Sequence, residues 1–84
     1  MAASIVVTGA VGGLGPALVR FLVQRGDRVA AIGSPGSADR LRALQEQLRP
    51  NCIGIAMDVN SPPEWERALA QIDKELGAPW GAAL

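Results

Sequence analysis

Apolar residues in this chain fall into two alternating arrangements: short unbroken runs, and longer stretches in which they recur every three or four positions. The segments that hold these runs are Ser4 to Val7, Arg28 to Ile32 and Cys52 to Met57. Being apolar on both sides of a two-residue period, they predict parallel strands covered by helices on both faces. Between the first two, a helix is predicted from Pro16 to Arg25, with Leu14, Leu18, Phe21, Leu22 and Arg25 near one face and Gly26-Asp27 as its stop and turn. Gly33-Ser34-Pro35-Gly36 is a loop by composition. Ser37 or Asp39 caps a second helix to about Arg49, where Leu41, Leu44 and Leu48 recur at helical spacing until Pro50-Asn51 ends it. Ser61-Pro62-Pro63-Glu64 has the spacing of a capping box, in which the Ser61 side chain reaches the Glu64 N–H and the carboxylate reaches back to the Ser61 N–H. Trp65, Ala68, Leu69, Ile72 and Leu76 then form an apolar stripe that reads as core, closed by Gly77. Trp80 to Leu84 reads as the start of a fourth strand.

Strand and helix alternating in this way predict an α/β fold: a Rossmann-like doubly wound parallel sheet, partial, with strand order 3-2-1 and the start of strand 4. Ligands of such sheets lie beyond the carboxyl ends of the strands, near the point where the strand order reverses. Thr8 to Gly15, Gly33-Ser34 and Asp58-Val59 occupy those ends, so three loops distant in sequence are expected at one crevice.

The first of these loops carries the most specific chemistry. Gly9, Gly12, Gly13 and Gly15 lie between a strand and a helix start, which is where glycines have a physical role. Gly9 lets the chain leave the strand in a tight turn, Gly13 leaves room for a pyrophosphate against the backbone, and Gly15 lets the helix lie close on the sheet. Unpaired N–H groups of the first helical turn face the anion, and Pro16 has none to lose there.

Composition narrows the alternatives. The chain has 84 residues, enough for one small domain of thin stability, with eight basic and eight acidic side chains that cancel. The basic residues form no stripe, which argues against nucleic acid or an anionic membrane as partner. The single cysteine, Cys52, lies among apolar neighbours and reads as a buried structural thiol. A cytoplasmic setting fits, since the start carries no basic leader region and no apolar run approaches spanning length. There is no His, no Tyr and one Lys, Lys74, which removes most acid–base and nucleophile-activating pairs. Asp58 and Glu64 are better explained by binding and capping than by catalysis, and no metal site is expected.

Thr8-Gly9-Ala10-Val11-Gly12-Gly13-Leu14-Gly15 fits the T-G-x-x-x-G-x-G signature of the short-chain dehydrogenase/reductases, and Asp58-Val59 fits that family's acidic pair after the third strand. Over nearly its whole length the chain resembles the amino-terminal, cofactor-binding part of that family. The glycines also fit the extended branch's T-G-x-x-G-x-x-G, while the long second helix favours the shorter branch. The resemblance implies that residues 1–84 are one truncated dinucleotide-binding domain of an oxidoreductase moving hydride between a nicotinamide cofactor and a carbonyl or alcohol. It implies cofactor contacts at Thr8, Gly9, Val11, Gly12, Gly13, Leu14, Gly15, Gly33, Ser34, Arg40, Asp58 and Val59, with Asp58-Val59 at the adenine. It also implies that the catalytic Ser and Tyr-x-x-x-Lys pair lie in a half absent from this chain.

Cofactor choice turns on the end of the second strand, where an NAD enzyme places an Asp or Glu on the ribose hydroxyls. Gly33 and Ser34 stand there instead, and Arg40 follows, so NADP is expected, with NAD as the alternative. The alternative in function is a non-catalytic nucleotide-binding or interaction module. Alone, the chain is expected to be inactive and incomplete. A stub of a fourth strand leaves one edge of Ile5-Val6-Val7 without most of its partner, and part of the Trp65-Leu69-Ile72 stripe is expected to stay wet. Self-association, or a complementing carboxyl-terminal half, follows from that deficit.

Overall fold

The computed structural model describes residues 4–76 and 80–83, with side chains described for residues 4–76. Four strands and three helices alternate: β1 (Ser4–Thr8), α1 (Gly15–Gln24), β2 (Arg28–Gly33), α2 (Ala38–Leu48), β3 (Cys52–Ala56), α3 (Pro62–Glu75) and β4 (Trp80–Ala83). All strands are parallel and ordered β3-β2-β1-β4, which is the predicted Rossmann-like sheet. Gly77 and Leu84 lie outside the described residues.

Because side chains alternate along a strand, each run feeds two cores. Val7, Val29, Ala31 and Cys52 face α1 and α2 with Val19, Leu22, Leu41 and Leu44. Val6, Ala30, Ile32, Ile53 and Ile55 face α3 with Ala68, Ile72 and Leu76. This two-sided burial explains why the strands read as unbroken apolar runs. Burial pushes the Cys52 thiol up from 9.0 to about 11, so at neutral pH it stays protonated and packs as a small apolar side chain.

Helix α1 buries Val19 and Leu22, with Leu18 and Val23 partly covered. Phe21 and Leu14, expected on the inner face, are exposed by 57% and 85%. The correction has a physical cause: the buried stripe runs through Val19 and Leu22, and two residues of helical rotation put Phe21 about 200° from Val19. Phe21 lies outside the stripe, where Arg25 stacks 5.7 Å from its ring centre. The chain then leaves α1 as predicted at Gly26, whose N–H and that of Asp27 donate to the carbonyls of Val23 and Leu22 at 3.0 Å each. That pair of bonds is a Schellman turn.

Helix α2 sits unusually close to β3. A Cβ on Gly54 would lie 2.7 Å from the Leu41 carbonyl oxygen, and the Gly54 N–H, on the outer edge of the sheet, donates to Gln45 Oε1 at 2.8 Å. The helix therefore blunts an edge that would otherwise offer a bare donor.

One expectation about incompleteness is corrected, and one is met in part. β4 pairs with β1 from Ser4 to Val7, opposite Trp80 to Ala83, so four residues of β4 satisfy nearly the full length of β1. The outer edge on that side belongs to β4. In the α3 stripe, Ala68, Ile72 and Leu76 are buried, while Trp65 and Leu69 are only partly covered, so part of the stripe stays wet as expected. Ser4, itself fully buried, donates to the Leu76 carbonyl at 3.2 Å and fastens the end of α3 to β1. No helix among the described residues is long and apolar enough to cross a membrane.

Candidate dinucleotide cleft

The carboxyl ends of β1, β2 and β3 open on one cleft of about 460 Å³. Thr8 and Gly9, Gly33 and Ser34, and Asp58 and Val59 line it, so the three loops singled out in the sequence do converge. Another hollow, of about 420 Å³, lies on the outer face of α3 between Gln71, Lys74 and Glu75. It is far from the strand ends and has only exposed side chains.

The glycine loop is held by its own backbone. Ala10 N–H donates to the Ile32 carbonyl at 3.1 Å, which ties the loop to β2, and the N–H groups of Gly12 and Gly15 donate to the carbonyls of Gly9 and Gly12 at 3.2 and 2.8 Å. Gly9 and Gly13 have φ of 65° and 52°, a region that side chains disfavour. A Cβ on Gly13 would meet nothing within 4 Å, so the space beyond it is open to a ligand. Gly15 differs from its predicted role. A Cβ there would lie 2.3 Å from the Gly9 carbonyl oxygen and 2.7 Å from the Ala10 carbonyl. The close approach is between the start of α1 and its own loop, not between helix and sheet.

Helix α1 starts without a side-chain cap and without an acidic residue in its first turn. The N–H groups of Gly13 and Leu14 make no hydrogen bond among the described residues. Unsatisfied donors at the positive end of a helix dipole favour an anion. The open space at Gly13 and these donors together fit a pyrophosphate.

Not every predicted contact lines the cleft. Val11 and Arg40 border a separate hollow of about 210 Å³ between α1 and α2, together with Pro16 and Arg20. Gly12 and Leu14 are exposed on the loop itself. A residue missed in the sequence joins the two hollows. Ser37 is 6% exposed, and its Oγ is 3.0 Å from Ser34 Oγ and 3.5 Å from Arg40 Nη2. It stands at the N-cap of α2 but makes no side-chain cap bond; its hydroxyl is turned to Ser34 because Pro35–Ser37 forms a 3-10 turn that brings the two serines together.

The capping box is corrected as well. Ser61 is the N-cap of α3 but makes no side-chain cap bond. Glu64 Oε1 instead accepts the Asp58 N–H at 3.3 Å, and the Ser61 N–H donates to the Asp58 carbonyl at 3.0 Å. The loop folds back on the first turn of α3, so the Asp58 N–H takes the carboxylate in place of the Ser61 N–H.

A family model described as short chain dehydrogenase matches residues 3–80, and the chain belongs to that family of oxidoreductases. The serine 3-dehydrogenase of Agrobacterium fabrum is 39% identical over 72 residues, covering 86% of this chain and 28% of that protein. The 3-oxoacyl-(acyl-carrier-protein) reductase of Vibrio harveyi is also 39% identical over 72 residues, covering 86% of this chain and 29% of the relative. Among solved structures, a short chain dehydrogenase/reductase family oxidoreductase from Aeromonas hydrophila superposes with a TM-score of 0.83 at 35% identity, over 92% of this chain and 36% of that one. The chain thus spans less than a third of the length of the two curated relatives.

Proposed function

We propose that this chain binds NADP(H) and serves as the cofactor-binding portion of an oxidoreductase that interconverts a carbonyl and an alcohol. The observation that carries this reading is the uncapped start of α1, with the free N–H groups of Gly13 and Leu14 beside an opening that no side chain fills. These donors hold the pyrophosphate, while Thr8 and Gly9 line the passage from β1. Asp58 and Val59 form the adenine side of the cleft. The bound cofactor supplies or accepts the hydride. The relatives' names, a dehydrogenase and a reductase, describe the two directions of such a reaction.

Selectivity rests on Ser34, Ser37 and Arg40. No carboxylate stands at the end of β2; the nearest in sequence, Asp39, has a side chain 99% exposed on α2. The Ser34 hydroxyl donates to a 2′-phosphate, and the Arg40 guanidinium, within reach through Ser37, supplies charge. NADPH is expected to bind more tightly than NADH by about 1.5–3 kcal/mol, the worth of a charge-assisted hydrogen bond. Arg40→Ala should narrow that gap. Direct competition between the two cofactors measures it, and tighter binding of NADH would contradict it.

Hydride transfer to a carbonyl also needs a proton donor near the oxygen. With no Tyr and no His in the sequence, these residues do not provide one, and the chain alone is expected to turn over no substrate. The catalytic groups come from further polypeptide, for which the outer edge of β4 is the place of attachment. Without it, that edge pairs with a second copy, in a cytoplasmic setting. Sedimentation at rising concentration reads this: a growing dimer fraction is expected, and a strict monomer at high concentration would count against it.

A further inference from the structure

The loop Asp58-Val59-Asn60 is exposed at all three side chains and has no core of its own, yet it is restrained at each residue. Its bonds to the helix run to the first turn of α3. Trp65 Nε1 donates to the Val59 carbonyl at 2.7 Å, and Glu64 Oε1 accepts from the Asp58 N–H at 3.3 Å. Within the loop, the Asn60 N–H donates to Asp58 Oδ1 at 2.9 Å, which fixes the carboxylate and leaves its other oxygen to a ligand. Helix α3 is in turn anchored to the sheet by Ala68, Ile72 and Leu76. The indole N–H makes the shortest of the hydrogen bonds that join the start of α3 to this wall of the cleft.

We propose that Trp65 is a positioning residue for adenine recognition: by holding the Val59 carbonyl it sets the wall from which the oriented Asp58 carboxylate reads the exocyclic amine of the base. The inference rests on the dinucleotide reading above. A carboxylate accepts from the amine of adenine and repels the carbonyl oxygen that hypoxanthine carries at the same edge, so base discrimination reports the placement of the wall.

The test compares NADPH with its hypoxanthine analogue on the 84-residue chain and on Trp65→Phe, which keeps an aromatic ring against the core but lacks the N–H. The parent should prefer the adenine form about tenfold, the worth of one hydrogen bond at an exposed wall, and Trp65→Phe should lower that preference to roughly twofold by loosening the wall. A preference unchanged in a folded Trp65→Phe, or absent in the parent while both cofactors bind, overturns the proposal. Failure of the parent to bind either cofactor would instead refute the dinucleotide reading itself. If Trp65→Phe does not fold, the resonance assigned to the Trp65 indole N–H, one of two indoles in the unmodified chain, decides. It should shift with adenosine 2′,5′-bisphosphate and not with nicotinamide mononucleotide, and a resonance that the adenosine ligand leaves in place overturns the proposal.

Discussion

Gly15→Ala is expected to lower the thermal midpoint by on the order of 15 °C and to remove cofactor binding with it. The added Cβ would lie 2.3 Å from the Gly9 carbonyl oxygen and 2.7 Å from the Ala10 carbonyl. Neither neighbour is a side-chain end that can swing aside. Both belong to the backbone of a turn fixed by the Gly12 and Gly15 bonds and by the Ala10 bond to β2. The turn must open or α1 must lift, and overpacking of this kind costs about 3 kcal/mol. In a domain of this size each kcal/mol moves the midpoint by roughly 4–8 °C, and the whole margin of a small domain is only about 5–15 kcal/mol. Circular dichroism on heating reads the shift. An unchanged midpoint would mean that helix and loop do not approach as described.

Gly13→Val separates binding from folding. Its side chain meets no protein atom, so the cost to the fold is confined to holding a β-branched residue at a φ of 52°, on the order of 1–2 kcal/mol. Binding loses far more, because the valine occupies the space before the Gly13 and Leu14 N–H groups. Loss of two charge-assisted hydrogen bonds predicts a fall in NADPH affinity of 100-fold or more, or about 3 kcal/mol. Titration calorimetry on a variant confirmed as folded measures this. Equal affinity in variant and parent would show that the phosphates are not held at this loop.

The strands, the helices and the convergence of three loops were legible in the sequence because each rests on a period or a chain-order rule. Two-sided apolar runs mark β1, β2 and β3, and parallel crossovers fix their order. What was illegible depended on direction or on distance between elements. Apolarity alone does not say that Phe21 points outward while Val19 points in. A capping-box spacing does not reveal that the Asp58 N–H will take the Glu64 carboxylate first. Gly54 gave no signal, since its role is set by the approach of Leu41 from another element. Ser37 read as a cap, and its turn toward Ser34 follows from the intervening 3-10 turn. The expected bare edge of β1 was an error of length: a four-residue strand is enough to cover a five-residue neighbour.

Calorimetric titration of the 84-residue chain with NADPH, alongside a cooperative unfolding transition to establish that it is folded, bears most directly on the cofactor-binding role. The expected result is saturable binding at one site per chain, tighter than for NADH and competed by adenosine 2′,5′-bisphosphate. A folded chain that shows no saturable heat with either dinucleotide would contradict it.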